Sequence, residues 1–338
     1  MANEKIAFID HEYHIKTKSG EFLRQILKKN FEIHDFWVGK KNKFKIPIET
    51  LKFDNFFFFQ ILPDLKFLKN AKGKNIIWAP MYDSPHYPIG YSELLWDIIE
   101  YYNVKIISFS RLISKALNKR KIKFINLKFY KPTNYSARES KLKKINIFFW
   151  YRNDLKLDFF LNFLNLKDIN KITYLTLDNL EPEKIITKNL KINFLKKKFL
   201  TNKLFKSYLK KHDIFLCPRK KEGIGMAQIE ALSVGNYLVG VNDSTMNEYI
   251  LSNKIGFVID QSKKKKISLK FVKKYFELRK KINNKNYLKY QNDLKYIPNF
   301  IKSKNKKFKK NLLLEFKLNL FFLIKLLTRK INNMLINN

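Results

Sequence analysis

The fold is decided by the stretch IFLCPRKKEGIGMAQIEALSVGNYLVGV, residues 214–241. An apolar run at 214–217 predicts a buried strand that ends at a proline. The turn Glu222-Gly223-Ile224-Gly225 leads into a predicted helix over 224–233, and a second apolar run at 237–241 predicts the next strand. A strand, a helix and a strand in so short a span are typical of a parallel sheet with crossover helices.

The same alternation extends outward from this stretch. Apolar runs of the kind that forms buried strands occur at 6–10, 56–62, 76–79, 104–108, 145–150 and 172–177. Helical periodicity falls between them at 19–27, 91–102, 112–117, 155–164, 202–210 and 245–251. Ser19 is the expected N-cap of the first helix. The sequence therefore predicts an α/β fold of doubly wound parallel sheets.

A polar, charged stretch at 130–144 is the expected hinge between two such halves. It separates a predicted domain at 1–140 from a second at 141–298, in which a basic helical stretch is expected over 263–284. A basic and apolar segment follows at 299–338. Two similar α/β halves that face each other would form a ligand cleft at the carboxyl ends of their strands.

The composition is that of globular domains with a large positive charge. The 338 residues are 45% apolar and 15% aromatic. Lys and Arg number 69 against 29 acids, so the net charge is +40, which favours anionic partners such as nucleic acid, anionic lipid or phosphorylated substrates. The alternative is an A/T-biased coding sequence, because Lys, Asn, Ile and Phe are abundant together and exposed Lys is ordinarily solvated surface.

Several features favour a cytoplasmic protein. Cys217 is the single cysteine, so no intrachain disulfide can form, which is typical of a reducing compartment. The apolar run at 6–9 is too short for a signal peptide. Glu315, Lys317 and Lys325 interrupt the apolar stretch at the end of the chain, which argues against a spanning helix.

Two long windows contain neither Lys nor Arg, namely residues 75–104 and 222–253. Burial of core helices and strands explains part of each window, since cores exclude Lys. It does not explain the acidic residues that remain in them. These are Asp83, Glu93, Asp97, Glu100, Glu222, Glu230, Asp243 and Glu248. Five of the nine glycines also fall between 223 and 256, which indicates positions where backbone geometry or a close approach requires glycine.

The turn before the helix predicted at 224–233 suits a diphosphate. A helix N-terminus offers unpaired N–H groups and the positive end of the helix dipole, and Gly223 and Gly225 let that backbone approach a phosphate closely. Glu222 stands just before the helix, and Glu230 lies about two turns along it. One carboxylate can therefore meet a sugar while the other reaches a ribose.

The full pattern resembles the E-x7-E region of family-4-type (group 1) retaining glycosyltransferases of GT-B fold. It is carried by Pro218, Arg219, Glu222-Gly223-Ile224-Gly225, Glu230-Ala231 and Gly235. The resemblance is specific over about 217–260 and looser elsewhere. It implies two Rossmann-like domains facing a cleft, a nucleotide-sugar donor, transfer with retention and no bound metal.

The resemblance also implies roles for individual residues. Glu222 would hold hydroxyls of the donor sugar and help shape the transition state, and Glu230 would accept from ribose hydroxyls. The amides of Ile224, Gly225 and Met226 would lie near the donor, beside Gly223, and Thr245 would approach its phosphates. Arg152 matches the arginine that follows the first strand of the second domain. Lys156 is the nearest candidate for the lysine after it, one position closer than usual. Two such cations would stabilise a leaving diphosphate without a metal.

The first domain departs from the family pattern. Family members have a histidine after the strand predicted at 76–79, where this chain offers Asp83 as a catalytic candidate and His86 as an acceptor contact, although both also suit a turn around Pro85. A glycine pair that follows the first strand in the family is absent. His14, Lys16, Lys18 and Ser19 are the candidates to contact phosphate or acceptor there.

The expected function is transfer of a sugar from a nucleotide donor to a glycan or lipid-linked acceptor in bacterial surface polysaccharide or lipopolysaccharide assembly. The segment 302–330 either packs back across both domains or lies on an anionic membrane surface, and the two are compatible. Two rival hypotheses remain. One is a basic nucleic-acid-binding protein, which the acidic, Lys-free windows disfavour. The other is an inactive GT-B partner subunit.

Overall fold

The computed structural model describes residues 4–39, 46–81, 93–134, 144–152, 154–176, 190–196, 200–220, 222–242, 245–263 and 266–303. Asp83, His86 and the apolar part of the terminal segment lie outside these described residues.

The first half of the chain forms a six-stranded, fully parallel sheet in the order β2-β1-β3-β4-β5-β6. Its strands are β1 (Glu4–His11), β2 (Phe31–Val38), β3 (Asn55–Phe59), β4 (Asn75–Ala79), β5 (Lys105–Ser108) and β6 (Phe124–Asn126). Its helices are α1 (His14–Thr17), α2 (Glu21–Leu27), α3 (Leu65–Asn70), α4 (Glu93–Tyr101) and α5 (Arg111–Leu117).

The second half repeats this architecture with the order β12-β11-β10-β7-β8-β9, again all parallel. Its strands are β7 (Ile145–Trp150), β8 (Ile169–Thr176), β9 (Lys191–Lys196), β10 (Ile214–Leu216), β11 (Tyr237–Val241) and β12 (Gly256–Ile259). Its helices are α6 (Leu157–Leu161), α7 (Asn202–Lys211), α8 (Met226–Ser233), α9 (Phe276–Leu294) and α10 (Ile297–Lys302). The predicted α/β fold of doubly wound sheets is confirmed.

Apolar runs form the central strands because helices cover both sheet faces. Residues 56–59 are four consecutive phenylalanines with no exposed surface, and 147–149 are equally buried. Successive side chains of a strand point to opposite faces, so such a run requires an apolar layer on each side. Buried clusters on both faces of the first sheet supply those layers.

Three local expectations were wrong. Gly20, not Ser19, is the N-cap of α2, and the Ser19 hydroxyl lies 2.8 Å from that of Thr17 instead. The basic helix expected over 263–284 begins only at Phe276 and continues to Leu294 as α9. The stretch at 245–251 forms a 3-10 turn over Thr245–Tyr249 rather than an α-helix.

The end of α10 docks on the first sheet. The Asn75 side-chain amide donates to Ile301 O at 2.8 Å, and Lys105 Nζ donates to the same oxygen at 2.9 Å and to Phe300 O at 3.3 Å. These carbonyls belong to the last turn of α10, where a cation is favoured by the helix dipole. The chain therefore crosses between the two halves twice, once near 130 and once through α9 and α10.

Each sheet has a switch point, the place between two neighbouring strands from which the chain winds outward in opposite directions. It lies between β1 and β3 in the first sheet and between β7 and β10 in the second. In open α/β sheets, ligands bind outside the carboxyl ends of the strands at this place. The loops after β1, β3, β7 and β10 are therefore where a site is expected.

Candidate active site

The loops after β7 and β10 are joined to each other at the second switch point. Leu155 N donates to Pro218 O at 3.1 Å, and Lys220 N donates to Asp154 Oδ2 at 2.8 Å. These two bonds set the segment that carries Arg152 and Lys156 beside the segment that leads to Glu222. The structure thus brings together residues that are about 70 positions apart in the chain.

Helix α8 begins at this place with an uncapped N-terminus. Its N-cap, Gly225, has φ +68°, no side chain caps the helix, and no acidic residue lies in its first turn. A Cβ on Gly225 would stand 2.4 Å from Met246 Sδ, so glycine is required both for its dihedral angle and for packing. The first-turn amides, including that of Met226, remain for an anion.

Glu222 is the carboxylate nearest this helix end in sequence. Its side chain is 23% exposed, and Arg219 Nη1 lies 3.4 Å from its Oε1. The Thr245 hydroxyl donates to the backbone carbonyl of Glu222, and Gln228 Nε2 donates to Met246 O at 3.0 Å. The 3-10 turn therefore holds the Glu222 loop against α8, and the proton of Thr245 is used in that bond.

Cations surround the same loop cluster. The Arg152 guanidinium stacks over the Trp150 ring, 4.6 Å from its centroid, and is half-buried. Lys156 is exposed and is the N-cap of α6. Arg219 is a third cation at this place, and the sequence analysis predicted no specific role for it. Its signal in the sequence was its position between the end of a buried strand and Glu222.

Glu230 lies on α8 but faces the connection between the two halves. It is 6% exposed and accepts a hydrogen bond from Lys131 Nζ, with Lys206 Nζ at 4.0 Å. The same connection is fixed to the end of α8, because Asn134 N donates to Ser233 O at 2.8 Å. A ligand that used Glu230 would share its carboxylate with Lys131, a residue that sequence reasoning missed.

A buried ionic cluster occupies the first switch point. Asp10, at the end of β1, has no exposed surface, and its carboxylate meets His14 Nδ1 at 2.5 Å and Arg24 Nη2 at 2.9 Å. Arg24 Nε also donates to Asp35 Oδ1 at 2.7 Å. Gly20 makes room for the cluster, since a Cβ there would lie 2.9 Å from Asp10 Oδ2.

The remaining first-domain candidates lie around this cluster. Lys16 is exposed and Ser19 is half-buried. Lys18 has φ 55° and Gln60, just after β3, has φ 63°, and both are left-handed conformations that cost energy for residues other than glycine. Such conformations cluster at functional sites. Asp83 and His86 remain predictions, since they lie outside the described residues.

Several acidic residues of the Lys-free windows, among those that the structure describes, meet cations that come from elsewhere in the chain. Asp97 accepts from Arg120 Nη1 at 2.6 Å. Glu248 accepts from the backbone N–H of Arg111 at 2.8 and 3.0 Å, and Lys128 donates to its carbonyl. Burial raises the pKa of the Glu248 carboxyl and lowers the pKa of Lys128 to about 8. Several of these acids are therefore structural partners.

Neither a metal-binding cluster nor a membrane-spanning helix occurs among the described residues. They contain no group of three or more His, Cys, Asp or Glu placed to hold a metal ion. No helix among them combines the length and the apolar character needed to cross a bilayer. Cys217 is buried, and burial raises the pKa of its thiol, with the Glu222 charge adding to the effect.

Comparison with known families gives a match to one segment in the second half of the chain. Residues 178–289 match the family described as glycosyl transferases group 1. This segment contains the Glu222 loop, α8 and the 3-10 turn. A comparison with curated protein sequences returned no match.

Solved structures resemble the chain over most of its length. A glycosyltransferase from Rickettsia africae ESF-5 aligns with TM-score 0.53 and 11% identity, over 89% of this chain and 96% of that one. Trehalose-6-phosphate synthase OtsA aligns with TM-score 0.58 and 8% identity, over 90% and 100%. The lipopolysaccharide outer core galactosyltransferase WaaB, in its apo form, aligns with TM-score 0.50 and 9% identity, over 90% and 96%. The chain therefore has the GT-B fold of these structures, and its second half contains a segment that is similar to the group 1 glycosyl transferases.

Proposed function

We propose that this protein transfers a sugar from a nucleotide-sugar donor, bound at the second switch point, to a glycan or lipid-linked acceptor. The observation that carries the proposal is the joined pair of loops around the uncapped end of α8. There Glu222 and three cations, Arg152, Lys156 and Arg219, lie on one loop cluster. A diphosphate placed at this helix end is matched in charge, and we place the donor sugar beside Glu222.

The chemistry proposed for the site follows from that charge arrangement. As the sugar leaves, negative charge develops on the diphosphate, and the fixed cations stabilise it together with the amides of Ile224, Gly225 and Met226 at the start of α8. We propose that these groups serve the leaving group without a bound metal. Glu230 binds the ribose, and Thr245 holds the Glu222 loop in place. Transfer with retention is proposed from the resemblance of the Glu222–Glu230 segment.

The biological setting is also a proposal. An acceptor in bacterial surface polysaccharide or lipopolysaccharide assembly is supported by the fold shared with an outer core galactosyltransferase. A cytoplasmic location, peripheral on the inner face of the cell membrane, is supported by the Lys cluster and apolar stretch of the chain's end, which a negatively charged leaflet would attract. We propose no nucleic-acid partner.

The donor site is tested by thermal shift with UDP-, GDP- and CMP-sugars. At least one nucleotide sugar is expected to raise the melting temperature, and the Glu222→Gln variant is expected to lose about 10²-fold or more in sugar transfer while still binding the free nucleotide. Glu277→Gln, at an exposed carboxylate of α9, is the matched control. No stabilisation by any nucleotide, or unchanged turnover in Glu222→Gln, would contradict the proposal.

A further inference from the structure

The carboxylate of Glu230 is shared between α8 and the connection that joins the two halves, residues 127–134. Lys131 Nζ, from that connection, donates to Glu230 Oε1, and Lys206 Nζ of α7 lies 4.0 Å from the same oxygen. The other oxygen, Oε2, accepts no hydrogen bond from the described residues, and it is not among the polar atoms that are sealed from solvent. Glu230 thus has one oxygen bound by a lysine and one oxygen that a ligand can reach.

Lys131 is fixed on both sides of its backbone. Its carbonyl accepts from Asn283 Nδ2 of α9 at 3.1 Å, and the same amide donates to Thr133 Oγ1 at 2.8 Å. Asn134 N donates to Ser233 O, at the end of α8, at 2.8 Å. The Lys131 side chain is 28% exposed, and the bond to Glu230 is the one hydrogen bond that its ammonium makes to the described residues. An ammonium has three N–H donors, so donors remain for a ligand.

A lysine and a glutamate in this arrangement can bind a vicinal diol. The carboxylate can only accept hydrogen bonds and the ammonium can only donate them, whereas each hydroxyl can do both. One hydroxyl of a diol can therefore donate to Glu230 Oε2 while the neighbouring hydroxyl accepts from Lys131 Nζ. Glu230 lies four residues beyond Met226, which is about 6 Å along α8. A ribose attached to a diphosphate at the start of this helix carries such a diol, in its 2′- and 3′-hydroxyls.

We propose that Lys131 is a specificity-determining residue of the donor site, which binds one hydroxyl of the donor ribose while Glu230 binds the other. This inference rests on the proposed function, in which Glu230 binds the ribose, and it adds a contact from the connection between the halves. The donor site then discriminates ribonucleotides from deoxyribonucleotides by two charged groups. A bound ribonucleotide also stabilises the contact of the connection with α8.

The alternative is an ion pair that only attaches the connection to α8. Such a pair would contact neither hydroxyl of the ribose. Its loss would therefore change the affinities for ribonucleotides and deoxyribonucleotides by the same factor. The ratio of the two affinities separates a contact with the ribose from a purely structural role.

Two nearby lysines provide matched controls. Lys128 lies three positions before Lys131 on the same connection, and its Nζ donates to Glu248 O. Lys206 is 46% exposed and makes no hydrogen bond to Glu230. Lys128→Met removes a contact of the connection without affecting the Glu230 carboxylate. Lys206→Met removes a positive charge near that carboxylate without removing a hydrogen bond to it.

The first test measures binding by isothermal titration calorimetry. The ligands are the free nucleotide whose sugar derivative stabilises the protein most, and its 2′-deoxy and 3′-deoxy forms. Wild type is expected to bind the ribonucleotide about 10- to 100-fold more tightly than either deoxy form, because each deoxy form lacks a hydrogen bond to a charged group. Lys131→Met is expected to bind the ribonucleotide about 10- to 100-fold more weakly than wild type does, and to bind one of the deoxy forms within about threefold of the ribonucleotide. Lys128→Met and Lys206→Met are expected to keep the wild-type ratios.

The outcomes separate the two proposals. Wild-type ratios in Lys131→Met, or equal binding of all three nucleotides by wild type, would overturn the role of Lys131 alone. Failure of every nucleotide to bind the wild type would overturn the proposed function itself.

The second test needs no variant and so does not depend on how Lys131→Met folds. Hydrogen exchange of residues 127–134 is measured in wild type that is saturated with each of the three nucleotides. Exchange is expected to be about tenfold slower with the ribonucleotide than with the deoxy form that lacks the Lys131 contact, because that contact must break when the connection opens. Equal exchange with all three nucleotides would overturn the proposal.

Discussion

At the residue scale, Gly225 shows how one position serves both the backbone and the site. Its φ of +68° is left-handed, and Met246 Sδ leaves no room for a Cβ. Replacement by alanine brings a conformational cost of about 1–2 kcal/mol and an overpacking cost of about 1–3 kcal/mol.

Gly225→Ala is therefore expected to be less stable than Gly73→Ala by about 1–3 kcal/mol. Gly73 also has a positive φ, of +84°, but nothing lies within 4 Å of its missing Cβ, so alanine there brings the conformational cost alone. Urea unfolding of both variants checks the difference. Gly225→Ala should also lose the nucleotide-induced thermal shift, because Met246 and the end of α8 must move. Equal stabilities of Gly225→Ala and Gly73→Ala would show that Met246 makes room for a Cβ at position 225 without cost.

The sequence predicted the glycine geometry around the Glu222 loop because that geometry is local. Gly225 and Gly235 both adopt the positive φ angles that only glycine takes readily, as the clustering of glycine indicated. The cluster of Asp10, Arg24 and Asp35 was not predicted. Its charges meet only because β1 and β2 are parallel neighbours, so that Asp35 pairs in register with Phe8, two residues from Asp10.

At the element scale, the edge strands β2 and β9 show where apolar patterning does not predict a strand. Their sequences, FEIHDFWV and KINFLK, mix charged and apolar residues because each has a neighbour on one side only and much exposed surface. Strands buried on both faces, such as β7 and β11, were predicted with their correct bounds. Edge strands tolerate charge, and that charge also discourages pairing with other chains.

The docking of α10 leads to a prediction about pH. Lys105 is 1% exposed, and burial, together with the nearby Lys123 charge, lowers its pKa to about 8. The unfolded chain holds this proton up to about pH 10.4. Between these values the unfolded state binds more protons, so the free energy of unfolding rises with pH.

Wild type is therefore expected to gain more stability from pH 8 to about 10.4 than Lys105→Met does, by on the order of 1–3 kcal/mol. Lys263→Met, which removes an exposed lysine, controls for the general loss of positive charge. Chemical unfolding at several pH values measures all three proteins. If the free energy of unfolding changed with pH in the same way in wild type and Lys105→Met, the lowered pKa of Lys105 would be refuted. Lys105 would then have the same pKa in the folded and the unfolded chain.

At the scale of the whole molecule, the two halves are held together by polar contacts as well as a shared core. Glu248 binds the N-terminus of α5, and Lys131 binds Glu230. Two doubly wound parallel sheets could be predicted from repeated apolar alternation, and their GT-B arrangement from the resemblance of the Glu222–Glu230 segment. These contacts could not, because they join residues about 100 or more positions apart. From composition alone, Lys128 and Lys131 could be explained by an A/T-biased coding sequence. In the structure each of them binds a glutamate of the second half.

Glu248→Gln is expected to loosen the contact between the halves. Glutamine keeps an oxygen for the Arg111 amide but loses the charge that favours a helix N-terminus and attracts Lys128, at a cost of about 1–3 kcal/mol. Hydrogen exchange over residues 110–117 should then be about tenfold faster or more. The exposed substitution Glu277→Gln should leave this exchange as in wild type, and identical rates for Glu248→Gln would show that the carboxylate does not hold the halves together.

The docking of α10 on β4 and β5 also affects the order in which the protein can be made. Lys105 leaves the ribosome long before its carbonyl partners at 300 and 301, which are about 195 positions further along the chain. During that interval the nascent first half carries a lysine that belongs in the interior without the groups that accept its protons. The first half is thus completed only after α10 has been synthesised. A chain released before residue 300 would lack these contacts and would be a substrate for chaperones and proteases.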